Sequence, residues 1–299
     1  MMKKTIFLLI LLTFGFSQTG LYGLDGWYQA STIATAGAPG AHPNPGSDII
    51  NPAGFARLNK QAHLSLVKYP VGISAQSLLY IMPIKNANLG FALRHLGYGD
   101  FTASDESGIE NGDYSASDTW LSATWARYNQ NISWGATGGM FLSSLESYNA
   151  IAVVFSAGAM YNFTKQNAQV GLSVSNYGFY LKRYTDYQEK LPTKIILSAN
   201  KELAHLPLNL NFDLGYAINS NDILWRFGGV FALPYNLELL LGFNSNNINQ
   251  RTEHRSVKSL FGSSGIGLSY THKQYSIQTG GYSYGSGGWI YGTGFSIEL

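Results

Sequence analysis

Six histidines are the most versatile chemical groups in this chain: His42, His63, His95, His205, His254 and His272. A zinc-type site needs three or four His, Cys or carboxylate ligands that converge, and a helical pair needs i, i+4 spacing. No His pair has that spacing and the chain contains no Cys, so no metal ligand set is expected. Serines are plentiful, but none lies in a G-x-S-x-G context, and no spacing couples a Ser to a His and a carboxylate. "GATGG" (135–139) and "GSGG" (285–288) lack the Lys-Ser/Thr and the helix start of a phosphate loop. They read as strand glycines that permit curvature. A hydrolase built from residues distant in sequence stays open as an alternative. The spacing itself points to no reaction and no cofactor.

Charge clusters are more informative. The segment 99–118 carries Asp100, Asp105, Glu106, Glu110, Asp113 and Asp118 without a Lys or Arg. Basic residues gather instead at Lys182, Arg183, Lys190 and Lys194, and again at Arg251, Arg255 and Lys258. Separated acidic and basic loops can orient a docking partner or engage lipopolysaccharide phosphates. In the competing reading, loops are simply where charge reaches water, or the two signs pair with each other or with a divalent ion.

The elements that carry these loops follow from where the chain resides. "MMKKTIFLLILLTFGFS" (1–17) places Lys3 and Lys4 before a short apolar run and ends on small residues, the pattern of a secretory signal cleaved after Ser17. Removing Lys3 and Lys4 from the 19 basic residues leaves 17, equal to the 17 acidic ones. A neutral mature chain is a poor ligand for nucleic acid. Without Cys, lipoprotein anchoring and disulfides are excluded. Charged residues make up 12% of the chain, about half the roughly 25% of soluble domains. Aromatics reach 14%, and no run after Ser17 is long enough for a transmembrane helix. A closed β-barrel is the remaining way to satisfy every backbone group in hydrocarbon.

That architecture demands alternating segments of about 10 residues. Residues 207–218 comply, with Leu208, Leu210, Phe212, Leu214, Tyr216 and Ile218 on one face and Asn209, Asn211, Asp213 and Gly215 on the other. The ending places Trp289, Tyr291, Phe295, Ile297 and Leu299 opposite Gly292, Gly294, Ser296 and Glu298. Fourteen strands are predicted near 60–69, 73–83, 87–98, 116–129, 131–144, 149–163, 166–181, 192–203, 207–218, 222–233, 235–247, 259–273, 274–284 and 288–298. The longest gaps, 99–115, 182–191 and 248–258, all follow odd strands and so fall on one side, as the outer loops of such barrels do. A soluble periplasmic sandwich or propeller would explain the alternation but not this asymmetry. The inner face mixes Asn209, Asn211, Asp213, Arg226 and Gln278 with Val154, Met160 and Leu240. An occluded barrel with an amphipathic pocket is expected. Residues 59–299 form it, preceded by the arm 18–58.

In that arm, "DIINPAG" (48–54) reads as a turn of helix with Asn51 as N-cap and Pro52 at the first position. Either the arm folds into the barrel mouth or it is a disordered tail. The run Asp48, Asn51, Pro52, Ala53, Gly54, Phe55 is similar to the N-terminal plug region of FadL-like barrels. "GDYSASDTWLSATWARY" (112–128), "FLSSLESYNAIAVVFSAGAMY" (141–161), "VGLSVSNYGFYLKRYTDYQEKLPTKIILSANKEL" (170–203) and the ending "SYTHKQYSIQTGGYSYGSGGWIYGTGFSIEL" resemble the PorV/PorQ family, PorQ more closely than PorV. The resemblance spans essentially the whole mature chain. It implies an all-β, 14-stranded FadL-type barrel in the bacterial outer membrane, serving type IX secretion. In that family PorV shuttles cargo from the translocon, and PorQ holds a surface attachment component, PorZ. The partners so implied are outer-membrane lipid, lipopolysaccharide, and a PorZ-like component or cargo bound at the extracellular loops. Uptake of a hydrophobic solute such as a fatty acid past the arm is the alternative.

Overall fold

Alternating residues turn into a cylinder here because each apolar parity finds the same side. The structure, a computed structural model, describes residues 21–38, 40–41, 43–104, 110–186, 189–245 and 262–299. The signal segment, His42, Asp105, Glu106, Arg251, His254, Arg255 and Lys258 lie outside the described residues. The strands are β1 (Gln61–Lys68), β2 (Ser74–Ile84), β3 (Ala87–Ser104), β4 (Glu110–Asn129), β5 (Ile132–Leu145), β6 (Tyr148–Phe163) and β7 (Ala168–Lys182), then β8 (Lys194–Glu202), β9 (Leu208–Ala217), β10 (Asp222–Leu233), β11 (Leu237–Asn244), β12 (Ser264–His272), β13 (Tyr275–Ser283) and β14 (Trp289–Glu298). Each pairs antiparallel with its sequence neighbours, and β14 returns to β1 in register from Gln61↔Glu298 to Lys68↔Tyr291. The fourteen expected strands are thus all present, in one closed barrel.

Parity separates two environments. On β1, Leu64 and Leu66 are 46% and 54% exposed, while Ser65 and Val67 between and beside them are buried. On β9, Leu210, Leu214 and Tyr216 face out, and Asn211 and Asp213 are buried inside. Trp289, Tyr291 and Phe295 of β14 are likewise exposed on the outside. Monomeric soluble proteins rarely expose contiguous apolar patches beyond a few hundred Å². This band runs round the whole cylinder, and closure leaves no unpaired strand edge, so the outer face is built for hydrocarbon.

The two ends differ. At one, the connections are tight, such as 85–86, 130–131 and 273–274, and Lys85, Gln130 and Lys273 adopt φ of 51°, 52° and 53°. At the other end lie the longer connections after β7 and β11.

Three expectations need correction. Residues 99–115 are mostly ribbon: β3 runs to Ser104 and β4 starts at Glu110. Bulges between Gly97/Gly99 and Thr102/Ser104 absorb the break in alternation, and Phe101 stacks on Tyr114 at 5.3 Å between centroids. Asp100, Asp113 and Glu110 therefore pair with Ser115, Thr102 and Ser104 in a ladder. Second, "GSGG" is the β13–β14 turn, where Gly288 has φ of 100°, a conformation L side chains rarely adopt. Third, the arm holds more helix than one turn: α1 (Ala30–Ala34), α2 (Ser47–Ile50) and 3-10 turns at Tyr22–Asp25 and Pro52–Arg57. Alanines and a short polar-led turn supply no periodicity long enough to show this in sequence.

Candidate functional site

The described residues of the segment 21–58 run inside the barrel. Phe55, Ala53 and Ala56 are buried, with Phe55 and Ala56 packed against Leu79, Ile81, Ala92 and Ala126 of β2, β3 and β4. Here β5 must be glycine: a Cβ on Gly135 would stand 2.6 Å from the Pro52 carbonyl oxygen. Gly135 belongs to "GATGG", so at this position the glycine admits the arm rather than bending the strand.

An irregular segment placed in a barrel must have its backbone groups satisfied by something other than water. The polar lumen face does this. Asn88 donates to the carbonyls of Phe55 and Leu58, both at 2.7 Å, Ser173 to that of Ile50 at 2.7 Å, and Thr137 to that of Asp48 at 3.1 Å. Asn244 reaches the Ala36 carbonyl at 3.1 Å, and Arg226 that of Gly37 at 3.2 Å. Asn51 caps the following 3-10 turn, its side chain accepting from the Ala53 N–H at 3.2 Å while Pro52 occupies the first position. The expected cap is therefore real, on a 3-10 rather than an α turn.

Asp48 is held most strongly. Its carboxylate oxygens accept from one terminal nitrogen of Arg94 at 2.7 and 2.6 Å, with both side chains fully buried. The Arg94 guanidinium lies 5.1 Å from the ring centre of buried Trp120 and donates weakly to Ser122 at 3.4 Å. A cation so far from water persists only with a countercharge at hand. Arg94 was not singled out from sequence, although it carried a signal: a charge on the buried parity of β3, between Ala92 and Leu96.

Above the arm, towards the long-loop end, sits a cavity of about 380 Å³. Trp27 forms its floor, and Tyr69, Leu96, Tyr98, Tyr284 and Ile290 are among its walls. The Trp27 backbone is gripped on both sides by one hydroxyl: its N–H donates to Tyr69 Oη at 2.8 Å, and Tyr69 donates to the Trp27 carbonyl at 2.8 Å. Trp27 also meets Tyr282 edge-on, 4.7 Å between centroids. Burial pushes the Tyr69 and Tyr28 phenols well above their usual range, so both stay neutral donors. Lys194 and Asp25 form an ion pair of 2.7 Å at the cavity edge, and Arg226 supplies a further cation. The volume is at the small end of ligand pockets, about 300–1,000 Å³, and a mostly apolar wall with a few polar groups is their common chemistry.

Two of the charges expected on the rim do other work. Asp118 is a buried lumen residue of β4 that accepts from Tyr98 Oη at 2.7 Å and from Ser143, and Lys194 turns to the arm's Asp25. Strand parity explains both, since each sits where a ladder has already begun. Asp100, Glu110, Asp113, Lys182 and Lys190 are exposed at the long-loop end, and Arg183 lies 5.4 Å from the Tyr180 ring centre. Asp48, Asn51, Pro52, Ala53 and Phe55 thus lie buried within the lumen. The charged residues remain spread along the rim.

A closed antiparallel barrel of fourteen strands enclosing its own N-terminal segment defines a FadL-like architecture. No family profile and no curated protein matches the sequence. Solved structures do. The toluene transporter TodX of P. putida is 11% identical, with a TM-score of 0.59 over 92% of this chain and 99% of that one. A TodX deltaS2S3 mutant, described as a monoaromatic hydrocarbon channel, gives 12% and 0.63 over 91% and 99%. A FadL homologue of Pseudomonas aeruginosa gives 10% and 0.57 over 91% and 98%. At these identities the likeness establishes the fold.

Proposed function

We propose that the protein is a non-enzymatic barrel of the bacterial outer membrane that admits a small hydrophobic solute from the long-loop side, with residues 18–58 as a plug arm. The observation that carries this is the 380 Å³ cavity floored by Trp27 and walled by tyrosines and aliphatic side chains. Its lining includes Tyr69 and Tyr284, which adjoin the β1–β2 and β13–β14 connections of the long-loop end, while Phe55 and Ala56 of the arm pack against β2, β3 and β4. Similarity to barrels described as toluene and monoaromatic hydrocarbon channels supports the same substrate class. A single aromatic ring or a short aliphatic chain suits that volume, with Arg226 and the Lys194–Asp25 pair at one edge for a polar substituent. The test is uptake of labelled toluene or fatty acid by liposomes carrying the protein. Solute entry above that of empty liposomes, altered by deleting residues 18–58, supports the reading, and rates equal to empty liposomes refute it.

A second reading, the PorV/PorQ type, is favoured by the β3–β4 ribbon. It displays Asp100, Glu110 and Asp113, with Lys182, Arg183 and Lys190 on the same end, a surface suited to a PorZ-like component, cargo or lipopolysaccharide. Co-purification of type IX secretion proteins from outer membranes tests it. Recovery of the barrel alone, with surface attachment intact in a deletion strain, refutes it.

A further inference from the structure

The short-turn end bears a ring of cations, six against three carboxylates, none of them in an ion pair among the described residues. Lys60 precedes β1, Lys85 is at the tip of the β2–β3 turn, Arg127 is near the end of β4, Lys165 lies between β6 and β7, Lys201 near the end of β8 and Lys273 at the β12–β13 turn. Together they encircle most of the cylinder. The acidic residues at this end are Glu202, Glu238 and Glu298, and Glu298 accepts from Asn59 at 3.4 Å. Among the described residues, the ion pairs are Arg94–Asp48 and Lys194–Asp25, neither of them here. Lys201 donates to the Gln166 carbonyl. At the long-loop end, among the described residues, Asp100, Glu110, Asp113, Glu146 and Asp222 accompany Lys182, Arg183 and Lys190.

Just above the ring, on the outer face, runs an aromatic row. Tyr161 and Phe163 of β6 meet edge-on at 4.7 Å, and Tyr275 of β13 stacks with Phe295 of β14 at 6.1 Å. Rings of this kind mark the level of lipid headgroups in barrel proteins. Lys165 and Lys273, two residues from Phe163 and Tyr275, stand immediately beyond that row, whereas Lys85 and Arg127 border a cavity at the barrel mouth. Basic side chains there are attracted to anionic lipid over about a Debye length. Lysine dominates the ring, as suits a mobile point charge meeting a fluid array of phosphates rather than one fixed bidentate partner.

We infer that this ring is a docking collar for the phosphates of anionic glycerophospholipid in the leaflet at the short-turn end. The inference rests on the membrane reading given above. It fixes which end faces a phospholipid leaflet, and it adds electrostatic grip to the apolar one.

The experiment places the full-length protein in nanodiscs of equal phosphatidylglycerol and phosphatidylcholine and counts the lipids retained on release into a mass spectrometer. The expected result is an excess of phosphatidylglycerol of about threefold or more, which falls when the discs are prepared at 1 M salt, where the Debye length is about 3 Å. A variant combining Lys85→Gln, Lys165→Gln, Lys201→Gln and Lys273→Gln should bring the ratio near one, and the matching Lys→Arg variant should keep it. Equal retention of both lipids by the unaltered protein, or an excess unchanged by the four Gln substitutions, overturns the collar and leaves the membrane reading standing. A protein that does not enter the discs at all removes both.

Discussion

Replacing Asp48 by Ala should free the arm from the barrel wall without dissolving the wall. The substitution leaves the Arg94 guanidinium fully buried with Ser122 at 3.4 Å and the Trp120 face as its remaining partners. Breaking a buried pair by deleting one member costs about 3–5 kcal/mol, because the other charge is left uncompensated. The arm can relieve that cost locally by lifting out and letting water reach Arg94, so the penalty should appear as an opening equilibrium. At about 1.4 kcal/mol per factor of ten, the open population rises by roughly a hundredfold to a few thousandfold. Chymotrypsin reads this directly, since Tyr28 and Phe55 are buried in the closed arm, and cleavage tracks the open fraction when reclosing is fast. The double variant Asp48→Leu with Arg94→Met removes both charges and should return cleavage close to the unaltered rate. Equal protection of Asp48→Ala and the unaltered protein, or a double variant as labile as the single, would show that the pair does not hold the arm.

Three further outcomes follow from the same geometry. Gly135→Val thrusts a side chain into the Pro52 carbonyl, 2.6 Å from the new Cβ, and overpacking of about 1–3 kcal/mol should expose the arm to chymotrypsin while the strands still form; a fully protected arm would contradict the close contact. Leu197→Arg puts a charge on the outer face of β8, where Leu197 is 53% exposed, and should cost about 2–4 kcal/mol when folding is measured by denaturant in lipid vesicles. No cost there would mean that face does not meet hydrocarbon. Trp27→Ala removes the cavity floor and should weaken toluene binding, measured calorimetrically, by about tenfold or more; an unchanged affinity would move the solute elsewhere.

The barrel was legible in sequence because one rule, period-two alternation, is repeated in every strand and misreads rarely accumulate. Leu208 to Ile218 and Trp289 to Leu299 carry that rule plainly, and the observed bounds of β9 and β14 differ by a residue or so from those expected. The rule failed at 99–115, where glycines and carboxylates interrupt alternation while bulges keep the ladder going. Asn51 and Pro52 were readable as a cap since capping is local in sequence. The Asp48–Arg94 pair was not, as it joins residues 46 apart on elements whose juxtaposition depends on the whole cylinder. The same holds for Trp27 with Tyr69 and for Asp25 with Lys194. What a single strand encodes is visible by inspection, whereas what the lumen encodes needs the cylinder first.

The seam between the first and last strands sets an order of events. Gln61 faces Glu298 across it, and the segment ending at Arg57 enters the interior immediately before β1 begins. Once that seam is zipped, threading a chain through a mouth lined with side chains would be slow. The expected order is that the N-terminal residues lie against the half-curled ribbon before the C-terminal hairpin arrives, which a time course of arm protection against protease and of β14 pairing during refolding would check. On that expectation the earliest-made segment serves as the mandrel around which the later ribbon is rolled, and a barrel whose seam closes before the arm is protected would refute it.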